Sequence, residues 1–123
     1  MSNTKVLIVD DEEAIREMIS VALELAGFSW IEADNAQTAH TMIVDNRPDL
    51  VLLDWMLPGI SGIEALRQLK ATNNTADIPV VAVTASAMSY DRAEITGAGF
   101  NGFHWKPIDV KGILEEVRTL LDE

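Results

Sequence analysis

The sequence predicts a doubly wound α/β domain in which five strands of a parallel sheet alternate with five helices. Three apolar runs, at residues 6–9, 50–53 and 80–83, are nearly unbroken and rich in Val, Ile and Leu. Such runs are typical of strands buried on both faces of a parallel sheet. Two weaker and more polar runs, at residues 28–31 and 102–105, are typical of edge strands. Strands alternating with helices predict a sheet that carries helices on both faces.

Apolar residues at helical spacing separate these runs. The helical stripes cover residues 15–23, 36–43, 63–69, 89–97 and 113–121. The fourth stripe is poorly patterned, and the fifth is the clearest. Gly27 follows the first stripe as a C-cap residue, and Asn35 precedes the second as an N-cap.

Length and composition limit the classes of protein to consider. The 123 residues fit a single domain, 1–123, and the absence of cysteine excludes disulfides and thiolate metal sites. A net charge of −11 argues against direct nucleic-acid binding through a basic face. No apolar run reaches the length of a membrane span. We therefore expect one domain that works in a reducing compartment, the cytoplasm, without contacting nucleic acid or membrane.

Polar residues stand where four of the predicted strands end. Asp10 and Asp11 follow the first strand, Asp54 ends the third, Thr84 the fourth and Lys106 the fifth. Ligands of open α/β sheets bind at the carboxyl ends of the strands, so these side chains converge on one rim if the strands are neighbours. Asp10 or Asp11 could instead cap the first helix, and each of the others has an ordinary structural interpretation. Their combination at four strand ends favours a site.

The chemistry of such a cluster is restrictive. Carboxylates within a few ångströms repel one another, so positive charge must hold them. Lys106 supplies one charge, and a hard divalent cation such as Mg²⁺ supplies two. No His or Cys lies among these residues, which argues against zinc. With a metal bound, one carboxylate can attack phosphorus while metal, ammonium and hydroxyl stabilise the transferring group. Asp54, Lys106 and Thr84 match the roles of nucleophile, ammonium and hydroxyl.

Four segments carry a family resemblance that covers essentially the whole chain. They are VLIVDDE at 6–12, PDLVLLDWMLPG at 48–59, IPVVAVTA at 78–85 and KP at 106–107. With these segments the chain resembles the receiver domains of bacterial response regulators in two-component signalling. The resemblance implies a flavodoxin-like fold with strand order 2-1-3-4-5. Some parts resemble phosphate-regulon transcription regulators and others stand-alone or hybrid-kinase receivers, which raises the hypothesis of a recombined or designed sequence.

The resemblance also implies roles for individual residues. Asp54 is the expected phosphoacceptor, and Thr84 and Lys106 are expected to bind the phosphoryl group. The expected cofactor is Mg²⁺, for which Mn²⁺ can substitute. Its implied ligands are Asp10, Asp11, Asp54 and the main-chain carbonyl of Met56. Thr84 and Phe103 form the implied switch, and Met56 and Ser86 tune the lifetime of the phosphoryl group.

The implied partners are a sensor histidine kinase or phosphotransfer protein upstream and an output protein or effector domain downstream. Small donors such as acetyl phosphate are also expected to phosphorylate the domain, which catalyses its own phosphorylation and dephosphorylation. Phe100 and Asn101 stand where the transcription-regulator group usually carries an acidic pair for dimer contacts. We therefore expect a monomer or a weak, phosphorylation-dependent dimer.

His104 and Trp105 depart from the family pattern, since small and aliphatic residues usually stand there. Strand alternation places Phe103 and Trp105 on one face and His104 on the other, where a buried imidazole needs a hydrogen-bond partner. The change is either a partner-specific adaptation or a trace of engineering.

Three other functions compete with the receiver interpretation. A phosphatase with an Asp nucleophile usually has a second Asp two residues later, where this chain has Met56. A pure interaction module would not need Asp54, Thr84 and Lys106. Nucleotide binding would require a glycine-rich loop after the first strand, where the acidic residues at 10–12 stand instead.

Overall fold

A computed structural model of the chain describes residues 4–54, 56–57, 60–71, 76–84, 99–105 and 109–121. For residues 56–57, 60–63, 84, 103 and 105 it describes the backbone. The predicted helix at 89–97 lies outside the described residues. No helix within the described ranges is long and apolar enough to cross a membrane.

The described elements follow one another as strands alternating with helices. The strands are β1 (Lys5–Val9), β2 (Ser29–Ala33), β3 (Leu50–Asp54), β4 (Met56–Leu57), β5 (Ile60–Ser61), β6 (Val80–Thr84) and β7 (Gly102–Trp105). The helices are α1 (Glu13–Leu25), α2 (Ala36–Asn46), α3 (Gly62–Lys70) and α4 (Val110–Leu121).

Five of these strands form one sheet in the order β2-β1-β3-β6-β7, and every neighbouring pair is parallel. This order is the predicted 2-1-3-4-5, since β6 and β7 are the fourth and fifth strands of the sheet. The more polar strands β2 and β7 lie at the edges, as their composition predicted. The two-stranded antiparallel sheet of β4 and β5, which come after β3 in the chain, was not predicted from the sequence.

Alternating residues of the central strands face two separate cores, because successive side chains of a strand point to opposite sides. Leu7 and Val9 of β1 belong to the core beneath α2 and α3. Val6 and Ile8 belong to the core beneath α1 and α4. All five residues of β3 are buried. The sheet is therefore covered on both faces, as the unbroken apolar runs predicted.

Two predicted helix caps are present. The side chain of Asn35 accepts a hydrogen bond of 2.8 Å from the Thr38 N–H at the start of α2. Helix α1 ends in a Schellman motif, in which Gly27 has φ +90° and the Phe28 N–H donates to the Leu23 carbonyl at 3.0 Å. Leu23 and Phe28 are both buried in the same core, so the cap also directs the chain into β2.

Candidate functional site

The sheet register places the first and third strand ends side by side. Val9 pairs with Leu53, so Asp10 and Asp54 each come one residue after a paired position of neighbouring strands. Both carboxylate residues are buried, at 2% and 3% exposure, and they are the only buried acidic residues in the described ranges. Burial of two neighbouring carboxylates is costly unless positive charge or hydrogen bonds compensate.

A cluster of three acidic residues, called the acidic rim below, lies at these strand ends between β1 and α1: Asp10, Asp11 and Glu12. Carboxylate oxygens of Asp10, Asp11 and Glu12 all lie within 4.8 Å of one another. Asp10 is buried, and the other two are exposed. This donor set consists of oxygen alone, which fits a hard divalent cation such as Mg²⁺. Glu12 lies in the segment at 6–12 but was not predicted as a metal ligand, although it directly follows the two aspartates in the sequence.

Asp10 is held by contacts on its backbone and its side chain. Its N–H donates to the Ala33 carbonyl at 3.1 Å, and its carbonyl accepts from Arg16 Nη1 at 2.7 Å. Its carboxylate Oδ1 accepts from the Glu12 N–H at 2.9 Å. The last contact shows why Asp10 begins the turn into α1, whose N-cap residue Glu12 makes no side-chain cap of its own. The interpretation of Asp10 as a turn former is therefore compatible with its place in the acidic cluster.

For three further predicted site residues, Thr84, Met56 and Phe103, the structure gives the position of the backbone. Thr84 ends β6, one residue beyond Val83, which pairs with Asp54. Met56 lies in β4, two residues after Asp54. Phe103 lies in β7 and pairs with Ala82. The structure brings these backbone positions to their predicted strands, and the roles of their side chains stay predictions.

Two predicted residues, Lys106 and Ser86, lie outside the described residues. The last described residue of β7, Trp105, pairs with Thr84 and immediately precedes Lys106 in the sequence. The phosphoryl-binding role of Lys106 and the tuning role of Ser86 therefore stay predictions.

His104 has the hydrogen-bond partner that its predicted burial required. Its Nε2 lies 2.8 Å from Glu116 Oε1 of α4, with the two side chains 19% and 28% exposed. Gly102 lies two residues earlier on the same side of β7, and a Cβ there would overlap the Glu116 carboxylate. The unusual imidazole is thus part of the packing between β7 and α4.

The Phe100–Asn101 departure also has a structural explanation. Phe100 is buried in the core beneath α2 and α3. The Asn101 side chain accepts from the Val80 N–H at 2.9 Å, and its own N–H donates to the Val80 carbonyl at 2.7 Å. These two residues tie the start of β6 to the chain that enters β7.

The fold and the acidic rim are those expected of a receiver domain, and the comparison with known protein families gives the same class. The sequence profile of the response regulator receiver domain matches residues 6–118. The chain belongs to this family and is a receiver domain of two-component signalling.

Among individual proteins, the chain is similar to regulators of the phosphate regulon and to solved receiver structures. The chain is 46% identical over 121 residues to the phosphate regulon transcriptional regulatory protein PhoB of Pseudomonas aeruginosa, covering 98% of this chain and 53% of that protein. It is 38% identical over 117 residues to PhoB of Escherichia coli, covering 95% and 51%. The chain thus spans about half the length of these curated relatives. Its structure resembles a putative response regulator from Chloroflexus aurantiacus with a TM-score of 0.92, at 27% identity, covering 99% and 100% of the two chains.

Proposed function

We propose that Asp54 accepts a phosphoryl group with the help of Mg²⁺ held at the adjacent acidic rim. The observation that carries this proposal is the register of β1 against β3, which brings the buried Asp10 beside the buried Asp54. Asp10, Asp11, Asp54 and the main-chain carbonyl of Met56 are the proposed metal ligands, and Mn²⁺ can replace Mg²⁺. The receiver family of this chain supports the assignment.

The proposed reaction is an in-line phosphoryl transfer. A carboxylate oxygen of Asp54 forms a bond to phosphorus while the bond to the donor breaks, releasing imidazole from phosphohistidine or acetate from acetyl phosphate. Bound Mg²⁺ supplies positive charge against the phosphoryl oxygens. Thr84 contributes a hydroxyl donor and Lys106 an ammonium to the same oxygens. The domain thereby catalyses its own phosphorylation, and attack of water on the phosphorus of the acyl phosphate releases inorganic phosphate and restores the Asp54 carboxylate.

Phosphorylation adds roughly −1.5 to −2 charges at a site where two carboxylates are already buried. We propose that Thr84 and Phe103 respond to this charge and switch a protein-interaction face. Met56 and Ser86 are the proposed tuning positions for the lifetime of the phosphoryl group. Met56 has no group to orient an attacking water, so we expect slow autodephosphorylation; a half-life of seconds would contradict this.

The proposed partners are a sensor histidine kinase or phosphotransfer protein and a downstream output protein or effector domain, in the cytoplasm. The relatives are named as transcriptional regulatory proteins, which supports an output domain of that kind beyond this chain's share of their length. The Asn101 side chain accepts from the Val80 N–H, at the position where the family resemblance implies an acidic pair for dimer contacts. We therefore propose a single receiver domain over 1–123 that is monomeric or dimerises weakly when phosphorylated.

The experiment is intact-protein mass spectrometry after incubation with acetyl phosphate, with and without Mg²⁺. The variants are Asp54→Asn and a matched control, Asp49→Asn. Asp49 precedes β3, at the end of the sheet opposite to Asp54, where its side chain accepts from the Lys5 N–H at 2.9 Å. We expect one phosphoryl adduct in the wild type and in the control, dependent on Mg²⁺ and absent from Asp54→Asn. An adduct that persists in Asp54→Asn would refute the assignment of the phosphoacceptor.

A further inference from the structure

Arg16 links the acidic rim to the edge strand β2. Its Nη1 donates to the Asp10 carbonyl at 2.7 Å, and its Nε donates to Glu32 Oε1 at 3.1 Å. Glu32 is held in turn, since its Oε2 accepts from the Trp30 indole N–H at 3.3 Å. The Arg16 side chain is only 15% exposed. Four residues on two elements and one loop therefore form a continuous chain of contacts that ends at the backbone of Asp10.

We propose that Arg16 is a positioning residue for the divalent-cation site, acting through the peptide that joins Asp10 to Asp11. This inference rests on the proposed function, in which both aspartates hold the cation. The contact from Arg16 fixes the carbonyl of that peptide, while the Asp10 N–H is fixed by the Ala33 carbonyl. The two carboxylates extend from either end of the same peptide. Its orientation thus sets the direction of both side chains toward the cation.

The guanidinium suits this role because it offers two donors in a rigid fork. One donor reaches a carbonyl after β1, and the other reaches a carboxylate on β2. An open cleft of about 260 Å³ borders the same group and is lined by Arg16, Glu32, Ala33, Asp34 and Thr38. A side chain that made only one of the two contacts would have room to move. A lysine ammonium is a point charge on a flexible stem and cannot reproduce the fork.

If Arg16 acted only through its charge, its removal would strengthen the binding of a divalent cation. A fixed positive charge near the carboxylates repels an incoming cation, so its removal would tighten divalent-cation binding, most strongly at low salt. The positioning role predicts weaker binding, because residues that orient metal ligands typically contribute 10- to 100-fold to metal affinity. The sign of the change therefore separates the two explanations.

The test measures Mn²⁺ dissociation constants from the electron paramagnetic resonance signal of free Mn²⁺, at low and high salt. Arg16→Lys keeps the charge and removes the fork, and Arg16→Met removes both. The matched control is Arg47→Met, which breaks an exposed 2.9 Å ion pair with Asp77. Arg47 precedes β3 and Asp77 precedes β6, so this pair lies near the amino-terminal ends of the strands, away from the acidic cluster at their carboxyl ends. Far-UV circular dichroism confirms the fold of each variant.

We expect Arg16→Met to bind Mn²⁺ about 10-fold more weakly than the wild type at both salt concentrations. Arg16→Lys should fall between the two, and Arg47→Met should match the wild type. If Arg16→Met proves unfolded, Arg16→Lys decides, since weaker binding at unchanged charge reports position alone. Unchanged or tighter binding by the folded Arg16 variants would overturn the inference.

Measuring the phosphoryl adduct on Asp54 separates a failure of this inference from a failure of the proposed function. A wild type that binds Mn²⁺ and forms the Asp54 adduct retains the proposed function whatever the Arg16 variants do. We expect Arg16→Lys to form the same adduct once Mg²⁺ is raised to saturation, because the phosphoacceptor itself is intact. A wild type that binds no Mn²⁺ would overturn both proposals.

Discussion

Replacing Gly102 by Ala tests the packing that accommodates the unusual His104. A Cβ built on Gly102 lies 2.5 Å from Cδ of Glu116 and overlaps its carboxylate. Because Glu116 has a flexible side chain, it can move away, but it then loses its 2.8 Å contact with His104 Nε2. Loss of a hydrogen bond of this kind costs about 0.5–1.5 kcal/mol, and leaving the imidazole without a partner raises the total cost to about 1–3 kcal/mol.

The opposing term is the gain from replacing glycine within a strand, about 0.5–1 kcal/mol. The two His104–Glu116 side chains are only partly exposed, so water compensates the broken contact incompletely. We expect a net loss of about 1 kcal/mol in the free energy of unfolding. Urea denaturation followed by far-UV circular dichroism measures this change.

A double-mutant cycle with Glu116→Ala isolates the cause. In the Glu116→Ala background the clash is gone, so Gly102→Ala should be neutral or should stabilise by up to about 1 kcal/mol. The coupling between the two positions should then be at least about 1 kcal/mol. Equal destabilisation by Gly102→Ala in both backgrounds would refute the reasoning, because the added methyl group would then be opposed by something other than Glu116.

Three further predictions concern stability. Asn35→Ala removes the cap on the Thr38 N–H and should lower the free energy of unfolding by about 1 kcal/mol in urea, whereas Asn35→Asp should retain most of it. Leu66→Ala opens a cavity at a residue that is 1% exposed, so we expect a loss of about 2–5 kcal/mol; a loss below 1 kcal/mol would show that α3 collapses onto the space. Burial lowers the pKa of Lys70, an effect that Asp77 partly offsets, while its ammonium donates to the Ala76 and Ile78 carbonyls. Between this lowered folded pKa and the unfolded value of 10.5, the unfolded chain binds more protons. The wild type should therefore gain stability relative to Lys70→Met as pH rises through that window, and parallel pH profiles of urea midpoints would contradict this.

Local signals in the sequence determined the secondary structure and the fold class. Unbroken apolar runs predicted the three central strands, and more polar runs predicted the two edges, because burial on both faces requires apolar residues at successive positions. Gly27 and Asn35 marked helix ends because each satisfies backbone groups only a few residues away. The acidic rim was also predictable, since parallel strands end at the same edge of the sheet and their terminal residues can be read directly.

Contacts between distant residues were decided by the tertiary structure. The pairing of Val9 with Leu53 sets Asp10 beside Asp54, and it depends on the register of two strands rather than on either strand alone. The partner of His104 was predicted to be necessary but could not be named, because Glu116 reaches it only when α4 packs across β7. No role for Arg16 was predicted from the sequence. Its position on α1 is compatible with an ordinary exposed arginine, and only the packing of α1 against β2 directs its guanidinium to the backbone of Asp10.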